Sequence, residues 1–226
     1  MADNWEKITQ KLYEHDNYRR MAEVYGFINK TVHSIPGKDL QICDIGCGDG
    51  SLLELVKDKG KLYGVDVSRT QLKQAVKKGI KASHCNLDMS KLPFKDGIFD
   101  AVISSEVIEH VLVPDKLLTE AKRVLKADGI FILTTPNLAS FGKRLLLLFN
   151  QNPYIECSPF EPDAVGHLRY YIYPTLLKQV ERFGFRLVQH TSDVINFEST
   201  GKLNSRLLAR LFPTFGRTLI FVLKKA

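Results

Sequence analysis

The sequence predicts an α/β fold in which a mostly parallel sheet carries helices on both faces. Three observations predict it. Short β-like runs alternate with helical stretches between residues 40 and 135. The first run ends in a glycine-rich loop, Asp44-Ile-Gly46-Cys-Gly48-Asp-Gly50, with a helical stretch behind it. No period of about 20–50 residues recurs, which excludes a solenoid. At 226 residues, 44% hydrophobic and 25% charged, the chain is long enough to bury one sizeable core without disulfide or metal staples.

The elements follow in order. Residues 5–33 read as helical, with apolar positions at Ile8, Leu12, Met21, Val24, Tyr25 and Ile28, and Pro36-Gly37 ends them. Strands are predicted at 40–45, 61–67, 80–84, 99–104 and 129–135, and helices at 51–57, 69–78 and 115–125. After Pro136 the rhythm breaks into an apolar segment and a Pro-punctuated stretch up to residue 168. A helix at 174–183, a strand at 185–191, a second irregular piece and a last strand at 217–224 complete the chain. The organisation is therefore a helical cap at 1–37 and one domain at 38–226, with insertions at about 137–168 and 192–216. In open sheets of this kind ligands bind beyond the carboxyl ends of the strands, so chemistry is expected there.

Composition excludes several classes. The net charge is +7, from 32 Lys and Arg against 25 Asp and Glu, but six of the seven excess charges follow Glu198. Residues 1–198 are thus close to neutral, which is not the pattern of a uniformly basic nucleic-acid binder. Asp3, Trp5 and Glu6 do not fit a secretory leader. The longest wholly apolar runs have five residues, far below the roughly 20 of a membrane span. The cysteines (Cys43, Cys47, Cys85, Cys157) show no paired metal-ligand spacing, and reduced thiols in a cytoplasmic protein are expected.

The loop spacing G-x-G-x-G differs from the G-x-G-x-x-G of dinucleotide folds. Asp44 and Asp49 would repel a pyrophosphate, and they suit a ligand that is positively charged there. S-adenosylmethionine carries both an ammonium and a sulfonium. Asp66, twenty residues after Gly46, ends the second strand, where a carboxylate can accept both hydroxyls of a ribose.

Together these residues resemble the class I S-adenosylmethionine-dependent methyltransferases, in their small-molecule branch. The resemblance lies in ICDIGCGDG at 42–50, LYGVDVS at 62–68 and DMSKLPFKDGIFDAVISSEVIEHV at 88–111. It continues in VLKADGIFILTTPN at 124–137 and GHLRYYIYPTLLKQVERFGF at 166–185. It implies a Rossmann-like seven-stranded sheet whose final strand is antiparallel. It also implies that Asp44 meets the methionine ammonium and that Gly46, Cys47 and Gly48 line the cofactor. Asp66 and Val67 would hold the ribose, Asp88 and Met89 the adenine, with Ser105 nearby.

Glu106, Glu109 and His110 follow the fourth strand, and on a helix they would share one face of one turn. With His167 from the insertion they resemble the metal set of small-RNA 2′-O-methyltransferases and of ubiquinone-pathway O-methyltransferases, which share the ExxEH turn. A divalent ion there would acidify a substrate hydroxyl. Without metal, His110 or His167 would act as general base, and Glu106 is the third catalytic candidate. Ser104-Ser105-Glu106-Val107 stands where base-amino methyltransferases carry Asn/Asp-Pro-Pro-Tyr, so an oxygen acceptor is expected. The expected activity is transfer of a methyl group from S-adenosylmethionine to a small-molecule oxygen by direct displacement. The alternatives are an RNA 2′-hydroxyl acceptor or a catalytically silent binding partner.

Three segments lie outside this constellation. Residues 138–149 are apolar around most of a helical circumference, which predicts burial as a lid or core piece, or else a dimer or membrane-surface contact. Residues 202–212 set Lys202, Arg206 and Arg210 beside Leu203, Leu207 and Leu211, a stripe suited to anionic lipid or an anionic substrate. Near the N-terminus, Tyr13, Tyr18, Arg19, Arg20 and Tyr25 are placed to close over the cofactor, with Arg19 or Arg20 meeting its carboxylate.

Overall fold

In a computed structural model, residues 17–153, 166–197 and 203–226 are described, with side chains from residue 21 onward. Helix α1 (Asn17–His33) leads into strand β1 (Leu40–Ile45). Helix α2 (Ser51–Glu54), strand β2 (Gly60–Asp66), helix α3 (Arg69–Lys77) and strand β3 (Lys81–His84) follow. The second half holds β4 (Phe99–Ser105), α4 (Pro114–Val124), β5 (Leu125–Pro136), α5 (Phe141–Leu148), α6 (Tyr173–Arg182) and β6 (Phe185–Thr191). It ends with a short ribbon, β7 (Ile195–Asn196) and β8 (Asn204–Ser205), then α7 (Arg206–Leu211) and β9 (Thr218–Lys225).

Seven strands form one sheet in the order β3-β2-β1-β4-β5-β9-β6, and β9 runs antiparallel to both of its neighbours. The Rossmann-like seven-stranded arrangement expected from the sequence is therefore present. The strand order reverses beside β1, where β2 and β4 flank it, and this is the crevice in which such sheets take ligands.

Each face of the sheet is covered by apolar helix stripes. On one side Leu117, Leu118 and Ala121 of α4 and Leu176 and Val180 of α6 are buried against Phe131, Phe185 and Phe221. On the other, Val24, Ile28 and Val32 of α1 are fully buried with Ile42, Ile103 and Ile132. Along its described length the N-terminal helix is thus a layer of the core. Tyr13 and the side chains of Tyr18, Arg19 and Arg20 lie outside the described residues.

Three expectations are corrected. The predicted helix at 51–57 stops at Glu54 and gives way to a 3-10 turn at Lys57–Lys59, because the chain must re-enter the sheet at Gly60. The fifth strand begins at Leu125 and not at 129, since Leu125 pairs with Phe99 ahead of a bulge, after which Ala101 pairs with Ile130. Helix α5 does form within 138–149, but none of its residues is buried. Leu147, Leu148 and Phe149 stand in the open, so its apolar circumference does not enter the core among the described residues.

Candidate active site

The loop after β1 is shaped by backbone bonds to β2. The Gly46 and Cys47 amides both donate to the Val65 carbonyl, at 2.8 and 3.0 Å. The Gly48 amide donates to Asp66 Oδ2 at 2.9 Å, and the Ser68 amide donates to Oδ1 at 2.7 Å. Asp66 therefore joins the loop to the start of α3. Gly46 has φ +81°, and a Cβ there would stand 2.3 Å from Val107 Cγ2. The glycine is required on both counts, and the second places the loop in contact with the turn after β4.

Asp44 is 2% exposed, and its Oδ1 has no hydrogen-bond partner. Burial, and after it the nearby Asp66 charge, push its carboxyl well above the usual range. A buried carboxylate of this kind gains most from a cationic ligand, and the ammonium of S-adenosylmethionine fits that requirement. Asp49 is committed elsewhere: it pairs with Lys78 at 3.0 Å and accepts from Ser51. The Cys47 thiol is buried and packs beneath the loop against Gly64. Val67 and Met89 are exposed, at 41% and 79%. Asp88 uses Oδ1 to accept from the Val113 amide at 3.0 Å.

The turn after β4 departs from the expected helix. Glu106 has φ +56°, in the left-handed region, and residues 108–110 form a turn, while the helix begins only at Pro114. The acids are consequently held from β5 and do not share a helix face. Thr134 Oγ1 donates to Glu106 Oε1 at 2.9 Å, and Thr135 Oγ1 donates to Glu109 Oε2 at 3.0 Å. Ser105 Oγ lies 3.0 Å from the same Thr134 hydroxyl.

Segment 166–171 brings His167 to this turn. The Leu168 and Arg169 amides donate to the Glu109 carbonyl, and the Arg169 guanidinium donates to the Val111 and Leu112 carbonyls. The His110 and His167 rings lie 4.9 Å apart, and His110 Nδ1 is 3.2 Å from the Gly166 carbonyl. Glu109, His110 and His167 each offer a ligating atom within 4.8 Å of the others. Glu106, the fourth residue of the expected set, falls outside this group because the left-handed turn directs it to Thr134.

Electrostatics bind the four together nonetheless. Burial raises the Glu106 carboxyl to about 7, opposed by its Thr134 bond. Burial and then Glu106 push Glu109 well above the usual range. Glu109 is 1% exposed, and its Oε1 has no hydrogen-bond partner, with His110 Nε2 at 3.9 Å. Burial, then His110 and Lys143, lower His167 to about 3, which keeps its imidazole neutral. Buried Glu109, repelled by half-buried Glu106 and beside a neutral imidazole, belongs to a donor set that a divalent cation would stabilise.

Sequence reasoning missed the residues that hold this turn. Thr134 and Thr135, consecutive at the end of β5, were legible only as strand; two buried hydroxyls at a carboxyl edge are the signal. Arg169 and the Arg217–Asp193 pair, at 2.7 Å through Nε, carry no local signature.

A mostly parallel seven-stranded sheet, with a glycine–Asp loop at its crevice, defines the class I methyltransferase class of fold. Residues 43–133 match the family described as "Methyltransferase domain", in keeping with a class I S-adenosylmethionine-dependent methyltransferase. It is 35% identical over 124 residues to a ubiquinone biosynthesis O-methyltransferase of Dinoroseobacter shibae, covering 53% of this chain and 49% of that protein. A malonyl-[acyl-carrier protein] O-methyltransferase of Legionella pneumophila is 28% identical over 165 residues, 68% of this chain and 58% of the relative. The chain therefore spans about half the length of the curated relatives it matches. A crystal structure of an S-adenosylmethionine-dependent methyltransferase from Thermotoga maritima superposes with TM-score 0.64 at 20% identity. That match covers 93% of this chain and 95% of the other, and at this identity it is a likeness of fold. No helix among the described residues is long and apolar enough to cross a membrane.

Proposed function

We propose that this chain transfers the methyl group of S-adenosylmethionine to an oxygen of a small molecule. The observation that carries the reading is the contact of Gly46 with Val107. It joins the loop bearing the unpartnered Asp44 oxygen to the turn bearing Glu106, Glu109 and His110. Both resemblances to O-methyltransferases support an oxygen acceptor.

In this reading Asp44 pairs with the ammonium, Asp66 accepts the ribose hydroxyls, and Gly46 and Gly48 let the backbone approach. The acceptor oxygen attacks the methyl carbon; the carbon–oxygen bond forms as the carbon–sulfur bond breaks, and the sulfonium leaves as a neutral thioether. The protein's task is alignment and receipt of one proton. Glu106, raised to about 7, takes the hydroxyl proton more readily than His167, which is lowered to about 3. His110 stands between the acids and His167 and orients the acceptor. Glu109, His110 and His167 would hold a divalent ion. Such an ion supplies Lewis acidity to the acceptor hydroxyl.

The test is a labelled-methyl screen over quinols, catechols, sugars, lipids and RNA, with and without chelator. Transfer to a hydroxyl acceptor that falls about 10²–10⁴-fold in Glu106→Ala, with cofactor binding retained, is the expected result. If neither S-adenosylmethionine nor its demethylated product raised the melting temperature at millimolar concentration, the reading would be abandoned. Loss of transfer with chelator would assign the metal; unchanged transfer would remove it.

A further inference from the structure

The two insertions carry an apolar surface that the sheet does not use. Helices α5 and α7 pack around the same small scaffold, the β7–β8 ribbon and the 3-10 turn Pro213–Phe215. The Phe141 ring lies 5.4 Å from Phe197 and 6.4 Å from Phe215, and the Arg144 guanidinium sits 5.0 Å from the Phe215 ring centre. At the end of α5 Leu147, Leu148 and Phe149 are exposed, and at α7 so are Leu207, Leu211 and Phe212, each between 54% and 75%. Single exposed leucines are ordinary, but six large apolar side chains on two helices and their C-caps that share one scaffold are not.

Charge identifies what covers them. Residues 129–155 and 199–226 contain no Asp or Glu at all. Arg144 belongs to α5 and Arg206 and Arg210 to α7, while Lys143 of α5 acts on Glu106 and His167. Glu23 of α1 reaches this face, and it pairs with Arg206 at 2.8 Å. A second copy docked symmetrically would set this cationic face against itself. RNA would meet the cations and leave the leucines in water. A bilayer containing anionic lipid satisfies both, with acyl boundary for the apolar side chains and headgroup phosphate for the arginines.

The place of the patch adds a reason. α5 follows β5 closely, and α7 returns through Pro213–Phe215 to β9. Asn137 Nδ2 donates to the Thr214 and Gly216 carbonyls, at 2.9 and 2.8 Å, which ties the two insertions together at their base. That base is at the carboxyl edge of β5, beside Thr134 and Glu106. We propose that this face docks on an anionic lipid surface and holds the Glu106 side of the site close to the headgroups. The inference goes beyond methyl transfer and does not depend on it.

The experiment is co-sedimentation of the full chain, without cofactor, with vesicles of phosphatidylcholine alone or mixed with phosphatidylglycerol. Binding is expected only to the mixed vesicles and weakens as salt is raised. Each of Arg206→Ser and Arg210→Ser should lower the partition about fivefold, and L148D/L207D should abolish it. Melting curves and S-adenosylmethionine affinity of these surface variants serve as the check that they fold. No binding to mixed vesicles at low salt overturns the proposal. So does binding that L148D/L207D leaves unchanged. A dimer in vesicle-free sedimentation that L148D dissociates would assign the face to a second copy instead. RNA that binds at low salt and is released by the arginine variants, without any vesicle binding, would assign it to nucleic acid. None of these failures touches the labelled-methyl result.

Discussion

The loop at 44–50 and the turn at 106–110 lie in contact, yet they are held in different ways. The loop takes its form from one β-strand neighbour: Val65 and Asp66 receive its amides, and Gly46 and Gly48 supply the left-handed conformations. The turn is held by partners 26 to 58 positions away, Thr135 and Arg169 among them. The loop is therefore prearranged by local backbone, and it asks for a cation at one buried carboxylate. The turn depends on tertiary structure and stores two acids whose protons burial retains. Substitutions on the two sides should separate cofactor affinity from turnover.

The largest effect is expected on the turn. Glu106→Gln should lower kcat by about 10²–10⁴-fold with the affinity for S-adenosylmethionine unchanged. In the parent protein kcat should rise with pH through about 7, where Glu106 loses its proton, and the variant should be flat across that range. A pH–rate profile that keeps its limb in Glu106→Gln would take the proton-accepting role from this residue. On the loop, Asp44→Asn should weaken cofactor binding by roughly 10–10²-fold, the loss of a charge-assisted hydrogen bond, with kcat at saturation preserved. Calorimetric titration beside single-turnover rates distinguishes the two patterns.

Stability against pH sharpens the same contrast. Asp44, Glu106 and Glu109 all have folded values above those of the unfolded chain. His167 and His190, lowered to about 3 and about 4, act in the opposite sense, but the three acids outweigh them above about pH 5, so stability falls as pH rises from about 5 through 7. Urea midpoints of the cofactor-free protein should be higher at about pH 5 than at about pH 8. Glu106→Gln and Asp44→Asn should each flatten the slope, and Asp44→Asn should raise the midpoint at neutral pH while it weakens the cofactor. A slope unchanged in both variants would mean that other groups carry the protons.

Much of this difference explains what the sequence disclosed. Strand β1 and strand β6 stand where the pattern placed them, because apolar runs bounded by turn residues report burial in a sheet directly. Asp44, Gly46 and Asp66 were legible since each belongs to a strand end and its own loop. Glu106, Glu109 and His110 were legible as residue types, but not as geometry. Their spacing suited a helix, and the crowding of Val107 against Gly46 accompanies a left-handed Glu106 instead. Thr134, Thr135 and Arg169 act across the sheet and leave no periodic trace. The apolar helix α5 misled for another reason: periodicity reports that a face is apolar, not what it meets.

The Arg169 guanidinium fastens the chain just after the turn through the Val111 and Leu112 carbonyls. Lysine keeps the charge but cannot bridge two carbonyls in one plane. Arg169→Lys should therefore lower kcat about tenfold by misplacing the turn, with little change in cofactor affinity. An equal loss in both would mean that the strap also holds the loop.

The smallest effect is expected at Ser68, and it tests whether the loop side is a backbone device. Ser68 caps α3 by accepting from the Gln71 amide, at 3.4 Å a long bond, so its hydroxyl contributes at the low end for a cap, about 0.5 kcal/mol. The bond that orients Asp66 comes from the Ser68 backbone amide at 2.7 Å, and alanine retains that donor. Ser68→Ala should thus lower the melting temperature by about 1–2 °C and leave cofactor affinity where it was. A parallel fall in affinity would show that Asp66 is positioned through the side-chain cap. The two halves would then differ less in their construction than the backbone bonds imply, because both would lean on side-chain hydroxyls, Ser68 on one side and Thr134 with Thr135 on the other.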